Sequence, residues 1–194
     1  AIVHNETSTG VRNPLRDIAQ AGRANAPDTL ILVDAVSSLA GDKIEVDALG
    51  LDVTLTSSQK CFGLPPGLAF AAVSDRALAR AAAIPNRGYY FDFLELEAFL
   101  VKNNTPSTPA ISLMRALDRQ LADMLAEGLE RRFARHAALA RMTREWAEEM
   151  GFGLFAEGGF ESQTVTVVAN TRNIDVGALN KALAARGLSI ADGY

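Results

Sequence analysis

Two residues at the ends of predicted strands have side chains that could take part in catalysis. Asp34 directly follows the apolar run at residues 30–33, and Lys60 follows the apolar run at residues 53–56 after three short polar residues. In an open parallel sheet the carboxyl ends of the strands lie at one edge, where ligands bind. The amine and the carboxylate are therefore expected to meet across one pocket.

Each of these residues also has a simpler interpretation. Aspartate is a favoured cap for the segment that follows it, and a lysine at the end of a strand commonly extends into solvent. The pair together suits a cofactor that has both an aldehyde and a basic ring nitrogen. Lys60 would form the imine. Asp34 would keep the ring nitrogen protonated, so that the ring withdraws electrons from the α-carbon of the substrate.

The apolar pattern predicts the elements that position this pair. Short apolar runs, typical of buried strands, alternate with stretches of helical periodicity, which is the order found in α/β proteins with a mostly parallel sheet. The predicted strands are residues 2–4, 30–33, 53–56 and 68–73. Pro14 suits the first turn of a helix between the first two strands, with its apolar residues at Leu15, Ile18, Ala19 and Gly22.

The second half of the sequence is mainly helical. An Ala-rich helix follows Asp75, and an aromatic segment at residues 89–93 is expected to be irregular packing at a subunit contact. A helix from Ile111 ends at Gly128, and a second helix ends near Gly151.

Beyond Gly151 the pattern predicts a strand at residues 164–168, a helix at residues 176–185 and a strand at residues 188–191. This order predicts two domains. Residues 1–127 would form part of a large cofactor-binding α/β domain, and residues 128–194 a connector helix and part of a small C-terminal α+β domain.

Composition excludes several classes of function. The chain has 194 residues, is 48% hydrophobic and has a formal net charge of −4, with basic residues scattered among acidic ones, which argues against nucleic acid as a partner. No apolar run reaches the roughly 20 residues that cross a bilayer. With one cysteine, Cys61, the sequence fits a cytoplasmic protein, and it predicts no metal site and no membrane partner.

Four ordered motifs make the sequence recognisable. They are residues 4–10 (HNETSTG), 33–38 (VDAVSS), 57–60 (SSQK) and 104–109 (NTPSTP). Together they resemble the class V aminotransferases of fold type I, nearest to the alanine–glyoxylate and serine–glyoxylate enzymes. The resemblance implies a pyridoxal 5′-phosphate-dependent transaminase of the fold type I α/β class. Such an enzyme moves an amino group between a small amino acid and an α-keto acid such as glyoxylate or pyruvate.

The resemblance also implies roles for individual residues. Lys60 corresponds to the Schiff-base lysine and general base, and Asp34 to the partner of the pyridine nitrogen. A further group corresponds to cofactor-binding positions: Thr7 to the ligand of the phenolic oxygen, Val36 to the residue against the ring face, Gln59 to a phosphate ligand, and Asn104 and Thr105 to residues that reach the neighbouring subunit's phosphate. It therefore implies a homodimer with a shared active site. For Gln59 and Asn104 taken alone, surface polar residues are the simpler interpretation.

Two alternatives remain open from the sequence. A lyase or desulfurase of the same fold would keep the cofactor, although Gln59 stands where desulfurases typically have a histidine, and Cys61 is interpreted as structural or incidental. An inactive, truncated fragment is the other alternative. In the family, the glycine-rich phosphate loop, the ring-stacking aromatic residue and the carboxylate-binding arginine lie outside the region that this chain matches, so the chain is expected to be a fragment.

Two kinds of basic residue are not expected to be catalytic. His4, on an apolar strand, is interpreted as a packed core residue. Four arginines of the second long helix have the spacing of a solvated helix face: Arg131, Arg132, Arg135 and Arg141.

Overall fold

A computed structural model describes residues 1–191 of the 194. Within these residues the strands are β1 Ile2–Val3, β2 Asn5–Glu6, β3 Val11–Arg12, β4 Leu32–Asp34, β5 Val53–Ser57, β6 Ala69–Val73, β7 Gly153–Leu154 and β8 Val168–Ala169. The helices are α1 Leu15–Asn25, α2 Asp75–Ala82, α3 Phe93–Leu100, α4 Ile111–Glu127, α5 Leu129–Glu149 and α6 Val176–Ala184.

The central sheet has the strand order β1-β4-β5-β6. The strands β1, β4 and β5 are parallel, and β6 pairs antiparallel with β5. All four predicted strands of the first half are present, and the expectation of a mostly parallel α/β sheet is confirmed. A parallel pair needs a crossover connection, which α1 supplies between β1 and β4.

The helix α1 covers one face of this sheet. Its apolar residues pack against alternate residues on and around β4, so that the core cluster consists of Leu15, Ala19, Ile31, Val33, Ala35 and Leu51. The opposite face of the sheet remains accessible: Leu32 and Leu55 are 39% and 42% exposed. Asp34 lies on this accessible face, because successive side chains of a strand alternate between faces.

The middle of the chain includes a helix that the periodicity did not predict. The segment predicted to be irregular at residues 89–93 ends at Asp92, directly before α3 begins. The Asp92 side chain caps this helix by accepting a hydrogen bond from the backbone N–H of Leu94. The adjacent Tyr89, Tyr90 and Phe91 are strongly exposed.

The helices α4 and α5 are separated by Gly128, as predicted. Gly128 has a φ of 84°, in the left-handed region that favours glycine, and this ends α4 at Glu127. No helix within residues 1–191 is long and apolar enough to span a membrane. The proposed domain boundary at residues 127/128 coincides with this break and stays a prediction.

Two strand predictions beyond Gly151 are wrong. Only Val168 of the segment 164–168 is in a strand, β8, which pairs with the unpredicted β7. The backbone N–H groups of Thr164 and Val165 instead donate to the hydroxyl of Ser162, so they form no ladder. Residues 188–191 are irregular, whereas the predicted helix at residues 176–185 is present as α6.

Candidate functional site

The pairing of β4 with β5 places the two predicted catalytic segments at one edge of the sheet. Asp34 is the last residue of β4 and lies opposite Leu55 of β5. The backbone N–H of Ala35 donates to the carbonyl oxygen of Leu55 over 2.8 Å, so the chain leaves β4 beside the end of β5. Because the strands are parallel, the segments that carry Asp34 and Lys60 both leave the sheet at its carboxyl edge.

Asp34 is exposed, and its backbone and side chain are both held. Its carbonyl oxygen accepts a 2.8 Å hydrogen bond from the N–H of His4, and its Oδ1 accepts one of 2.9 Å from the N–H of Val36. Asp34 therefore caps the segment that follows it, which was the simpler interpretation of the sequence. Within the described residues Oδ2 accepts no hydrogen bond, so this oxygen can receive an N–H from a bound molecule.

Lys60 lies on a turn that is fixed by the buried residue Ser58. The hydroxyl of Ser58 donates to the carbonyl oxygen of Pro65 over 2.7 Å and accepts from the N–H of Leu68 at 3.2 Å. The N–H of Gly63 closes the turn onto the carbonyl oxygen of Lys60 at 2.8 Å. Among residues 1–191 the Lys60 amine has no ion pair or hydrogen bond, so an exposed amine stands on a rigid turn.

Thr7 and Val36 lie beside the Asp34 segment. The Thr7 hydroxyl is 2.7 Å from the hydroxyl of Ser37, and Val36 is half-buried. His4 is buried, with Nδ1 2.9 Å from the hydroxyl of Ser38, and its burial lowers the pKa of its imidazole. His4 therefore has the environment of a packed core residue, as expected.

A buried polar network joins this region to the C-terminal part of the chain. The amide of Asn5 donates to the hydroxyls of Ser162 at 2.7 Å and Thr164 at 2.9 Å, and the Thr164 hydroxyl donates to the carbonyl oxygen of Ser37. The sequence did not reveal this network, since it joins residues more than a hundred positions apart. It fixes the segment after Asp34 from a second side.

Within residues 1–191 no hydrogen bond joins the side chains of Gln59, Asn104 and Thr105 to Asp34 or Lys60. Gln59 is exposed. The N–H of Thr105 donates to Asn104 Oδ1 at 2.8 Å, and the Thr105 hydroxyl donates to the carbonyl oxygen of Ser107 at 2.7 Å. Asn104 is exposed, and its amide N–H₂ donates to no group within residues 1–191. The phosphate roles of the three residues stay predictions.

Arg132 corrects the prediction of a solvated arginine face on α5. Arg132 is only 7% exposed, whereas Arg131, Arg135 and Arg141 are exposed as expected. The sequence spacing could not distinguish Arg132 from its neighbours, because its two carbonyl partners lie more than 70 positions away in the chain.

Cys61 has the environment of a structural cysteine. Burial raises the pKa of its thiol, and Sγ faces the carbonyl oxygen of Ser37 at 3.7 Å. A protonated thiol is a poor nucleophile.

The donor set at this edge fits a ring cofactor with an aldehyde, a basic nitrogen and a phenolic oxygen. The groups available are the free Lys60 amine, the accessible oxygen of the Asp34 carboxylate and the Thr7 hydroxyl. They can respectively form an imine, hold a protonated ring nitrogen and hydrogen-bond an oxyanion.

Comparison with known proteins identifies a family and relatives similar to most or all of the chain. The model of the class V aminotransferase family matches residues 1–194. An aminotransferase of Methanocaldococcus jannaschii is 43% identical over 85% of this chain and 43% of its own length. The soluble hydrogenase 42 kDa subunit of Anabaena cylindrica is 42% identical over 87% of this chain and 44% of its own. Serine–glyoxylate aminotransferase of Arabidopsis thaliana is 36% identical over 90% of this chain and 44% of its own.

A solved structure shares the fold over the full chain. The crystal structure of pyridoxamine–pyruvate aminotransferase from Mesorhizobium loti superposes with a TM-score of 0.92 at 31% identity, and the match covers 100% of this chain and 51% of the other. The chain therefore spans about half the length of the relatives that it matches.

Proposed function

The chain belongs to the class V aminotransferase family, whose enzymes depend on pyridoxal phosphate, and we propose that the whole protein is a transaminase of this kind. One observation carries the proposal. The free amine of Lys60 and the accessible carboxylate of Asp34 leave adjacent parallel strands at the same edge of the sheet. An enzyme of this class needs these two groups together.

In this proposal, each residue of the edge has a separate task. The cofactor, when bound, withdraws electrons from the α-carbon of the amino acid. Lys60 would hold the cofactor through its amine and, when released, would move a proton to and from that α-carbon. Asp34, whose Oδ1 accepts from the N–H of Val36, would hold the protonated ring nitrogen. The hydroxyl of Thr7 would hydrogen-bond the phenolic oxygen.

The proposed substrates are a small amino acid and either glyoxylate or pyruvate. Support comes from the names of relatives: the A. thaliana relative is a serine–glyoxylate aminotransferase, and the M. loti structure is a pyridoxamine–pyruvate aminotransferase. The A. cylindrica relative is named as a hydrogenase subunit. We do not propose that activity for this protein, since an amine and a carboxylate at the sheet edge favour amino-group transfer.

The proposal includes a homodimer whose sites are shared between chains. Its support is the exposed Asn104 in the stretch after α3, and the exposed aromatic residues Tyr89 and Phe91 before α3. Asn104, Thr105 and Gln59 would then contact cofactor phosphates. The proposed location is the cytoplasm, which fits a free thiol at Cys61.

The reaction is tested with the whole protein, including any sequence that flanks these residues in its gene. With pyridoxal phosphate and serine or alanine but no acceptor, rapid-mixing spectra should show one conversion of the cofactor to its amine form and release of one equivalent of keto acid. Adding glyoxylate or pyruvate should restore the original spectrum. A lyase would return to the original spectrum after each turnover without an acceptor, and that result would contradict the proposal.

A further inference from the structure

Arg132 is a buried arginine that makes three hydrogen bonds from one side of α5. Its Nε donates to the carbonyl oxygen of Ala40 at 2.8 Å, Nη2 donates to the carbonyl oxygen of Cys61 at 2.5 Å, and Nη1 donates to Glu127 Oε2 at 3.1 Å. A guanidinium presents its donors in a rigid fork, so the three acceptors are held in a fixed arrangement.

The two carbonyl oxygens belong to the two segments of the candidate site. Ala40 is at the end of the segment that begins after Asp34, and Cys61 is bonded directly to Lys60. These segments pack so closely that there is no room for a side chain at Gly41. A Cβ there would lie 2.7 Å from the Cys61 sulfur. Arg132 therefore joins, across their backbones, the segments that carry the carboxylate and the amine.

The joined backbone is not in its lowest-energy conformation. Ala40 has a φ of 74°, a left-handed conformation that alanine adopts rarely, so surrounding contacts must maintain it. Arg132 supplies one such contact to the Ala40 carbonyl oxygen. Without this hydrogen bond, we expect the backbone at Ala40 to move toward a more favourable φ.

Glu127 completes the arrangement by holding the guanidinium itself. This carboxylate accepts hydrogen bonds from Arg135 at 2.6 Å and 2.9 Å as well as from Arg132. The charge of Arg132 is thus compensated, as a buried cation requires. The group links the end of α4, the start of α5 and both segments of the candidate site.

We propose that Arg132 is a positioning residue that sets the placement of Lys60 relative to Asp34 by holding the carbonyl oxygens of Cys61 and Ala40. The inference rests on the proposed function and adds to it a residue that touches neither cofactor nor substrate. It predicts that displacing the arginine changes how the cofactor is held, beyond any change in stability.

The test compares Arg132→Met and Arg132→Lys with Arg131→Met in the whole protein. Arg131 is the exposed neighbour that, within residues 1–191, bonds only the carbonyl oxygen of Ala126, so its variant is a matched control. Three quantities are measured: hydrogen exchange without cofactor, the dissociation constant of pyridoxal phosphate, and the pH midpoint of the visible absorption of the Lys60-bound cofactor.

In Arg132→Met, the amide of Gly63, which closes the Lys60 turn, and those of Gly41 and Asp42 should exchange faster, while α1 should not change. The dissociation constant should rise roughly tenfold or more, since hydrogen bonds from a charged donor are lost. The absorption midpoint should shift, because the environment of the lysine nitrogen changes. Arg132→Lys, which keeps the charge but not the fork, should fall between Arg132→Met and wild type.

Each outcome separates the inference from the proposed function. If wild type does not bind the cofactor, the proposed function fails and the inference fails with it. If wild type binds the cofactor while Arg132→Lys has the wild-type dissociation constant, absorption midpoint and exchange rates, the inference alone is wrong. An Arg132→Met protein that loses stability but keeps the wild-type dissociation constant and midpoint would also overturn it.

Discussion

Asp34 on β4 lies directly opposite Leu55 on β5 in a parallel register. This register places the Asp34 carboxylate at the edge where β5 ends. Lys60 follows Leu55 by five residues. Ser58 fixes the Lys60 turn, and His4 and Thr164 fix the Asp34 segment. Arg132 bonds the backbone of both.

Replacing Asp34 tests the proposed pyridinium contact. Asp34→Ala should weaken cofactor binding and reduce kcat/KM by at least roughly a hundredfold, because the counter-charge of a ring N–H⁺ is lost. Asp34→Glu should lose less. Steady-state kinetics and cofactor titration check this. Wild-type activity in Asp34→Ala would leave only the turn-capping role, which the hydrogen bond from Val36 already shows.

Cys61 should be dispensable for the reaction. Burial raises the pKa of its thiol, so the thiolate is scarce at neutral pH, and alkylation by a maleimide in the folded protein should be much slower than in urea. Cys61→Ala should retain turnover within about threefold of wild type, as expected for a small loss of packing. Loss of all turnover in Cys61→Ala would instead support the desulfurase alternative.

Glu127 should make stability depend on pH in the acid range. The hydrogen bonds from Arg135, and then the one from Arg132, lower the pKa of this carboxyl to about 2 from its ordinary 4.5. The folded state therefore favours the ionised form, and its contribution is complete above about pH 4.5 and declines as pH falls toward 2. The difference in unfolding free energy between wild type and Glu127→Gln, from urea titrations, should narrow across this window. A difference that stays constant would contradict the ion-pair assignment.

Mixing two inactive variants tests the shared site. Lys60→Ala and the double variant Asn104→Ala/Thr105→Ala should each be nearly inactive as homodimers. A heterodimer of the two has one intact site, with the lysine of one chain and the 104–105 segment of the other, so about half of the wild-type activity per dimer should return. Subunit exchange is followed by native mass spectrometry. Exchange without recovered activity would show that Asn104 and Thr105 serve the site of their own chain.

Local patterns predicted most of the fold because the strands of the first half are short apolar runs that burial favours. Asp34 and Lys60 were identifiable for the same reason, since each follows such a run. The strand predicted at 164–168 was wrong because the Ser162 hydroxyl captures the backbone N–H groups that a ladder would use. An alternation of apolar residues does not report such a side-chain acceptor.

Arg132 shows a second limit of sequence patterns. It has the same spacing as its exposed neighbours, and its burial depends on carbonyl oxygens 71 and 92 residues earlier in the chain. The hydroxyl network of Asn5, Ser162 and Thr164 is equally non-local. The positions of Asp34 and Lys60 after strands were therefore predictable, whereas the contacts of Arg132, Asn5, Ser162 and Thr164 were not.

The most direct test of the account is to identify the residue that binds the cofactor. The whole protein is loaded with pyridoxal phosphate, reduced with borohydride and digested, and the modified peptide is sequenced by mass spectrometry. The account predicts modification of Lys60 alone, with no label and no visible band in Lys60→Ala, whereas Lys43→Ala and Lys102→Ala behave as wild type. Modification of Lys43 or Lys102 instead, or an unchanged band in Lys60→Ala, would contradict it.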